Sequence, residues 1–292
     1  LTSQRRARAL AFVKWAGGKG QLLQQLAPYL PRHFGRYIEP FVGGGAVFFH
    51  LYRRGRLDGR DVVLIDRLEE LIDCYRIVRD EVDALIDALE PHEAAKLDRE
   101  YYYEVRAWDR QPDYHERSDV ERAARFVYLN RTCYNGLYRV NRKGQFNVPM
   151  GRYRNPKVRD TDRLRAASAA LQGAVLLADD FGRCLDVAEA GDLVYFDPPY
   201  HPLSQTANFT AYTAGDFRED DQRRLAEVFA ELDARGCWLL LNNSDTPLIR
   251  QLYDGYEQIR LSANRPINSK GGRRGAVAEL LVVNHRVQPG RA

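Results

Sequence analysis

The stretch Leu193-Val194-Tyr195-Phe196-Asp197-Pro198-Pro199-Tyr200 constrains the fold more than any other part of the chain. Four β-formers in a row read as a buried strand, and the run ends abruptly on a carboxylate, two prolines and an aromatic. Proline has no N–H and a fixed φ, so the chain must leave the sheet there with its carbonyls rigidly aimed. In open α/β sheets the carboxyl ends of such strands are where ligands bind. One carboxylate, one fixed carbonyl and one ring face suit a planar heterocycle that carries an amino group. Asp197 and the Pro198 carbonyl accept its two N–H protons, Pro199 stiffens the turn, and Tyr200 stacks on the ring. An Asp-Pro step alone is as readily an ordinary turn. The whole tetrapeptide directly after a buried strand favours the site.

A second strand end points the same way. Arg36-Tyr37-Ile38-Glu39-Pro40-Phe41-Val42-Gly43-Gly44-Gly45, followed by Ala46-Val47-Phe48-Phe49-His50-Leu51, reads as a strand, a glycine turn and a helix. Glycines let a ligand lie against the backbone because no Cβ intervenes. The spacing is not that of a dinucleotide fingerprint, and Glu39 at the strand end would repel pyrophosphate while suiting a cation. Asp66 closes the next strand, Val62 to Ile65, about twenty residues on, where an acid takes ribose hydroxyls. These features favour an adenosine ligand without phosphates and with a positive centre, which describes S-adenosylmethionine. Lys14-Trp15-Ala16-Gly17-Gly18-Lys19-Gly20 lacks the spacing of a phosphate-binding loop, and residues 12–30 are expected to run into an amphipathic helix ending near Pro31.

Between Arg67 and Arg125 the pattern is helix after helix, with Tyr101-Tyr102-Tyr103 and Trp108 read as helix core. From Arg131 to Arg165 there are ten Lys or Arg against Asp160 and Asp162, in a chain whose net charge is only +4. A solvated basic face is one reading. Interleaving with Tyr134, Tyr138, Phe146, Tyr153 and several Asn favours a nucleic-acid surface. Asn-Gly and Lys-Gly steps suggest a hairpin there. Val175 to Ala178 is a strand ending in Asp179-Asp180-Phe181, Glu219 to Ala234 a helix, Cys237 to Leu241 a strand running into Asn242-Asn243-Ser244, and Ala278 to Asn284 a last strand. Residues 201–217 form either a lid or a surface loop. The four cysteines show no metal-ligand spacing and read as free thiols. No run reaches membrane-spanning length, and no signal peptide opens the chain. Leu1 and the single methionine, Met150, imply a trimmed start.

Together, and in this order, these elements resemble a Dam-type DNA adenine-N6 methyltransferase. The matching pieces are Lys14 to Lys19, Glu39-Pro40-Phe41 with Gly43-Gly44-Gly45, Tyr134-Asn135-Gly136-Leu137, Phe146 to Pro149 with Gly151-Arg152-Tyr153, Asp180-Phe181, Asp197 to Tyr200, Thr206 to Phe209, and Ser269-Lys270-Gly271 before Glu279-Leu280-Leu281. Coverage is nearly end to end, apart from 80–119. The resemblance implies a Rossmann-like, seven-stranded α/β catalytic domain, residues 1–66 and 171–292, with an inserted helical and β-hairpin DNA-recognition domain, 67–170. Lys14, Trp15, Glu39, Pro40, Phe41, Gly43, Gly45, Asp66, Asp180, Phe181 and Asp197 would line the S-adenosylmethionine site, with Asp66 on the ribose and Asp180 on the adenine amino group. Tyr134 would wedge into duplex DNA. Asn135, Leu137, Arg139 and Arg152 would meet bases or phosphates of a GATC-like site, and Lys157 and Arg159, a few residues on, read as phosphate contacts. The expected protein is a metal-free monomer acting in a bacterial or phage cytoplasm, with a restriction-modification or a stand-alone role left open. Cytosine-N4 or RNA amino-methylation is the rival within enzymes. An inactive DNA-binding relative is the rival outside them, and intact Asp197, Glu39 and glycines speak against it.

Overall fold

The computed structural model describes residues 6–15, 22–202, 217–263 and 277–285. Its centre is a seven-stranded sheet: β1 (Tyr37–Glu39), β2 (Val62–Asp66), β3 (Val175–Ala178), β4 (Leu193–Phe196), β5 (Trp238–Ser244), β6 (Glu257–Ala263) and β7 (Val277–Val283). The order is β3-β2-β1-β4-β5-β7-β6. Strands β1 to β5 pair in parallel, and β7 runs antiparallel between β5 and β6. The chain therefore builds outward from β1 in one direction and from β4 in the other. The two strands lie side by side at the switch point, where an open α/β sheet forms its ligand crevice.

The strands are apolar on both faces because both are covered. Tyr37, Leu64, Leu193, Tyr195 and Leu240 point into one core, whereas Ile38, Val63, Ile65, Val194, Phe196, Leu239 and Leu241 point into the other. The first face meets α1 (Ala46–Arg53), α2 (Glu69–Asp80), α3 (Val82–Ala88), α4 (Arg99–Arg106), α5 (Asp119–Thr132) and α6 (Thr161–Leu171). The second is covered largely by α7 (Glu219–Ala234), through Leu225, Val228, Phe229 and Leu232. Helix starts follow the local chemistry. Asp98 caps α4 by accepting from the N–H groups of Glu100 and Tyr101, and Ser118 with Glu121 forms a capping box on α5. Of the tyrosine tract read as helix core, Tyr102 is fully buried, while Tyr101 and Tyr103 are half-buried and pack against the same core.

Three expectations need correction. The helix toward Pro31 is only Leu23–Leu26, continued as a 3-10 turn at Ala27–Tyr29, because Pro28 withholds an N–H; residues 16–21 lie outside the described part. The hairpin is reduced to two antiparallel bridges, Cys133 with Met150 and Val140 with Phe146. Its reversal lies at Asn141 to Gln145, where the Asn141 side chain accepts the Lys143 and Gln145 N–H groups. Finally, β6 and the short α8 (Pro247–Leu252) were not foreseen. The segment expected as a lid or surface loop, the Thr206 to Phe209 match and the Ser269-Lys270-Gly271 match fall wholly or largely outside the described residues.

Candidate active site

Parallel strands deliver their carboxyl ends to one edge, and here that edge is acidic: Glu39 ends β1, Asp66 ends β2, Asp180 follows β3 and Asp197 follows β4. Glu39 is 2% exposed. Its pKa is pushed up to about 8, first by burial and then by Asp197 and Asp66, while the Tyr37 hydroxyl and the Phe48 backbone N–H partly hold the charge. Tyr37 donates to Glu39 Oε2 at 2.8 Å. Burial also raises Asp66, against N–H bonds from Leu68 at 3.0 Å and Gly43 at 2.9 Å. Such crowded carboxylates are stabilised by a positive charge, so the donor set fits a cationic ligand.

The glycine turn explains how the acids approach the backbone. Gly43 and Gly45 adopt φ of 46° and 66°, a region that L side chains rarely enter. A Cβ on Gly43 would lie 2.5 Å from Trp15, and one on Gly45 would lie 2.8 Å from the Tyr75 hydroxyl. Tyr75 donates to the Gly43 carbonyl at 3.0 Å. Pro40 is buried just before the turn. Phe41 stacks on Phe181 with centroids 5.3 Å apart. Arg224 of α7 lies over the Phe181 ring at 3.9 Å and makes a two-pronged bond to Asp180, both contacts 2.7 Å. That pairing, with the Gly182 N–H, keeps the Asp180 carboxyl below its usual range despite partial burial.

Beside this edge, Asp197 is half-buried and Pro198 buried. Gln222 donates to the Pro199 carbonyl at 3.0 Å. The Tyr200 hydroxyl donates to Glu279 of β7 at 2.5 Å. Burial, together with the charges of Asp197 and Glu279, drives the Tyr200 pKa well up, so the ring stays neutral. The residues that follow β4 and the glycine turn thus share one crevice edge at the switch point.

The family profile of D12 class N6 adenine-specific DNA methyltransferases matches residues 15–267. The chain belongs to that family. It is 44% identical over 287 residues to the type II methyltransferase M.MjaIII of Methanocaldococcus jannaschii, covering 94% of this chain and 98% of the relative. It is 41% identical to the type II methyltransferase M1.LlaDCHI of Lactococcus lactis subsp. cremoris, over 94% and 95% of the two chains. The DNA adenine methylase of Escherichia coli (strain K12) is 37% identical over 94% of each.

In this D12 methyltransferase the basic stretch divides into two kinds of residue. Arg131 is buried, Arg159 is tied to the Ile86 carbonyl, Arg163 pairs with Asp160 and Arg165 with Asp83. Arg159 was expected to look outward to phosphates; it is instead built into the helical layer. Arg139, Arg142, Lys143, Arg152, Arg154 and Lys157 are exposed, and among the described residues only Arg139 has a side-chain hydrogen bond, to Asn147 at 2.6 Å. Tyr134 is 49% exposed. It stands at a turn in which Asn135 and Gly136 both take positive φ, 55° and 64°. The Tyr134 N–H bonds the Pro149 carbonyl at 2.8 Å, which sets it beside the segment leading to Arg152. Leu137 is half-buried and packs against the core.

Lys14 is tied to the same side as Tyr134 and the exposed cations. Its N–H and carbonyl bond the Asn130 side chain, both at 2.7 Å, and its ammonium sits 3.7 Å from the Tyr153 ring centre. Burial, then Arg131, lowers its pKa. Trp15 touches both regions, packing on Gly43 and stacking on Tyr138 at 6.1 Å. Sequence reasoning missed Tyr75, Arg224, Gln222 and the site role of Asn243. Only Asn243 carried a signal, as a polar residue at the carboxyl end of an apolar strand. Among the described residues there is no grouping placed to hold a metal ion, and no helix long and apolar enough to cross a membrane.

Proposed function

We propose that this methyltransferase uses S-adenosylmethionine to methylate adenine N6 in a short, GATC-like duplex site. The observation that carries the reading is the set of crowded acids beside the glycine turn, adjoining the Asp197-Pro198-Pro199-Tyr200 turn at the switch point. S-adenosylmethionine supplies a sulfonium-bound, electrophilic methyl group. Glu39 and Asp66 complement its charge and ribose, and Trp15, Phe41 and Phe181 supply aromatic surface. Asp180 takes the adenine amino group, in competition with Arg224.

The target amino group is a poor nucleophile because its lone pair is delocalised into the ring. Hydrogen bonds from its two protons to Asp197 and the Pro198 carbonyl favour a pyramidal nitrogen with a localised lone pair. Tyr200 stacks on a base pulled from the duplex at a cost of a few kcal/mol. Holding both reactants in a near-attack arrangement supplies much of the acceleration. Residues 67–170 act as the recognition unit on a catalytic unit of 1–66 and 171–292. Tyr134 wedges into the duplex, Asn135, Leu137, Arg139 and Arg152 meet bases or phosphates, and Lys157 meets phosphates.

Calorimetry tests the cofactor half of this reading. Asp66→Ala should weaken S-adenosylmethionine binding by roughly 1.5–3 kcal/mol, the range for hydrogen bonds to a charged group. DNA affinity at saturating cofactor should change little. Unchanged cofactor affinity would remove Asp66 from the site.

A further inference from the structure

Two prolines in succession leave the Asp197 to Tyr200 turn without N–H donors at positions 198 and 199, so its carbonyls must be aimed by donors from elsewhere. Two buried amides hold the turn, Gln222 of α7 at 1% exposure, which donates to a turn carbonyl, and Asn243 of β5 at 0%, which accepts a backbone N–H. Asn243 Nδ2 donates to Gln222 Oε1 at 2.9 Å. Gln222 Nε2 donates to the Pro199 carbonyl at 3.0 Å, and Asn243 Oδ1 accepts the His201 N–H at 3.0 Å. The backbone is thus gripped immediately before and immediately after Tyr200 by one hydrogen-bonded pair. Asn243 Oδ1 also accepts its neighbour's N–H, from Ser244, at 2.8 Å. Burying two amides is unfavourable unless each is satisfied, and here two of the pair's four side-chain hydrogen bonds among the described residues go to this turn, a third joining the amides to each other. The rest of the buried face of α7 is apolar, with Leu225, Val228, Phe229 and Leu232.

We propose that Gln222 and Asn243 are positioning residues for the target base. By fixing the peptide planes on both sides of Tyr200, they aim the Pro198 carbonyl and the Tyr200 ring, whose far end is held by Glu279. The inference rests on the reading that residues 197–200 receive the base. It predicts that the pair acts on the rate of methyl transfer rather than on cofactor affinity.

Single-turnover methylation of a duplex, with cofactor and DNA both saturating, tests it. Gln222→Glu keeps the side-chain shape and the acceptor for Asn243 but turns an oxygen toward the Pro199 carbonyl. Its rate constant should fall about tenfold or more, since displacements near 1 Å can cost more than that. S-adenosylmethionine affinity and the amplitude of the turnover should stay near wild type. Asn243→Ala should show a loss of similar size, and the double variant little more than either alone, as expected of a coupled pair. A Gln222→Glu rate equal to wild type would overturn the proposal. So would a loss confined to amplitude, with the surviving enzyme turning over normally, because that is what a purely structural role gives. Asp197→Ala run alongside keeps the two readings apart: if it retains turnover, the base-subsite reading itself fails.

Discussion

At the scale of single residues, Glu39 ties the chemistry to measurable thermodynamics. Its pKa rises on folding from an ordinary 4.5 to about 8, so between those values the folded chain binds the proton that the unfolded chain releases. The group's contribution to stability therefore falls as pH rises from about 4.5 to about 8. Glu39→Gln should raise the melting temperature of the ligand-free protein at pH 8 and change it much less at pH 5. The same variant should bind S-adenosylmethionine more weakly, because the proposed cationic ligand drives Glu39 to give up its proton on binding and Gln has no charge to offer. Thermal scans at the two pH values, with calorimetry at neutral pH, check both halves. An equal temperature gain at both values would show that Glu39 is not carrying a raised pKa. Asp197 makes the complementary case. Asp197→Ala should abolish methyl transfer while folding and cofactor binding largely survive, because its proposed partner is the target amino group. A purified variant retaining more than a few per cent of wild-type turnover would contradict that role.

At the scale of elements, the proposed recognition segment is where specificity and affinity can be told apart. Arg152 is exposed, one residue past Gly151, whose N–H is bonded to the Thr132 carbonyl at 2.8 Å, so it projects from a fixed backbone beside Tyr134. Its proposed role is to enter a major groove and pair bidentately with guanine O6 and N7, a contact worth about 1–3 kcal/mol of discrimination. Lys157, exposed farther along, has the character of a phosphate contact, which sets affinity without reading sequence. Arg152→Ala should relax recognition at one guanine-containing position. Lys157→Ala should weaken all DNAs about equally and reduce the salt slope by roughly one unit. Methylation rates on singly substituted sites decide the matter, and one common slowing by Arg152→Ala would make it a phosphate clamp.

The same segment shows where sequence reading runs out. Exposed and structural arginines look alike in a row of residues. Arg159 differs from Arg152 because α3 offers it the Ile86 carbonyl and the Asp87 carboxylate. By contrast, the acids at the ends of β1, β2 and β4 were legible, because strands buried on both faces are uniformly apolar and a terminal carboxylate stands out. Gln222 was not. It is one polar residue among several at the start of α7, and only the folded packing shows that its face meets the proline turn. Edge strand β6 carries Ile259 and Leu261 between polar residues, an alternation that a reading tuned to continuous apolar runs passes over.

At the scale of the whole molecule, a single sheet brings four acids separated widely in sequence to one edge, while the segment between β2 and β3 covers one face and carries Tyr134 and the exposed cations. Trp15 joins the two, packed on the glycine turn and stacked on Tyr138 of the hairpin. The proposed activity is defined by which atom of which base receives the methyl group. The direct measurement is to incubate the purified protein with S-adenosylmethionine and unmethylated duplex DNA, then digest to nucleosides for mass spectrometry and sequence the modified sites. N6-methyladenine confined to a short GATC-like site is the predicted result; N4-methylcytosine, or no methylated base with active cofactor present, would contradict it.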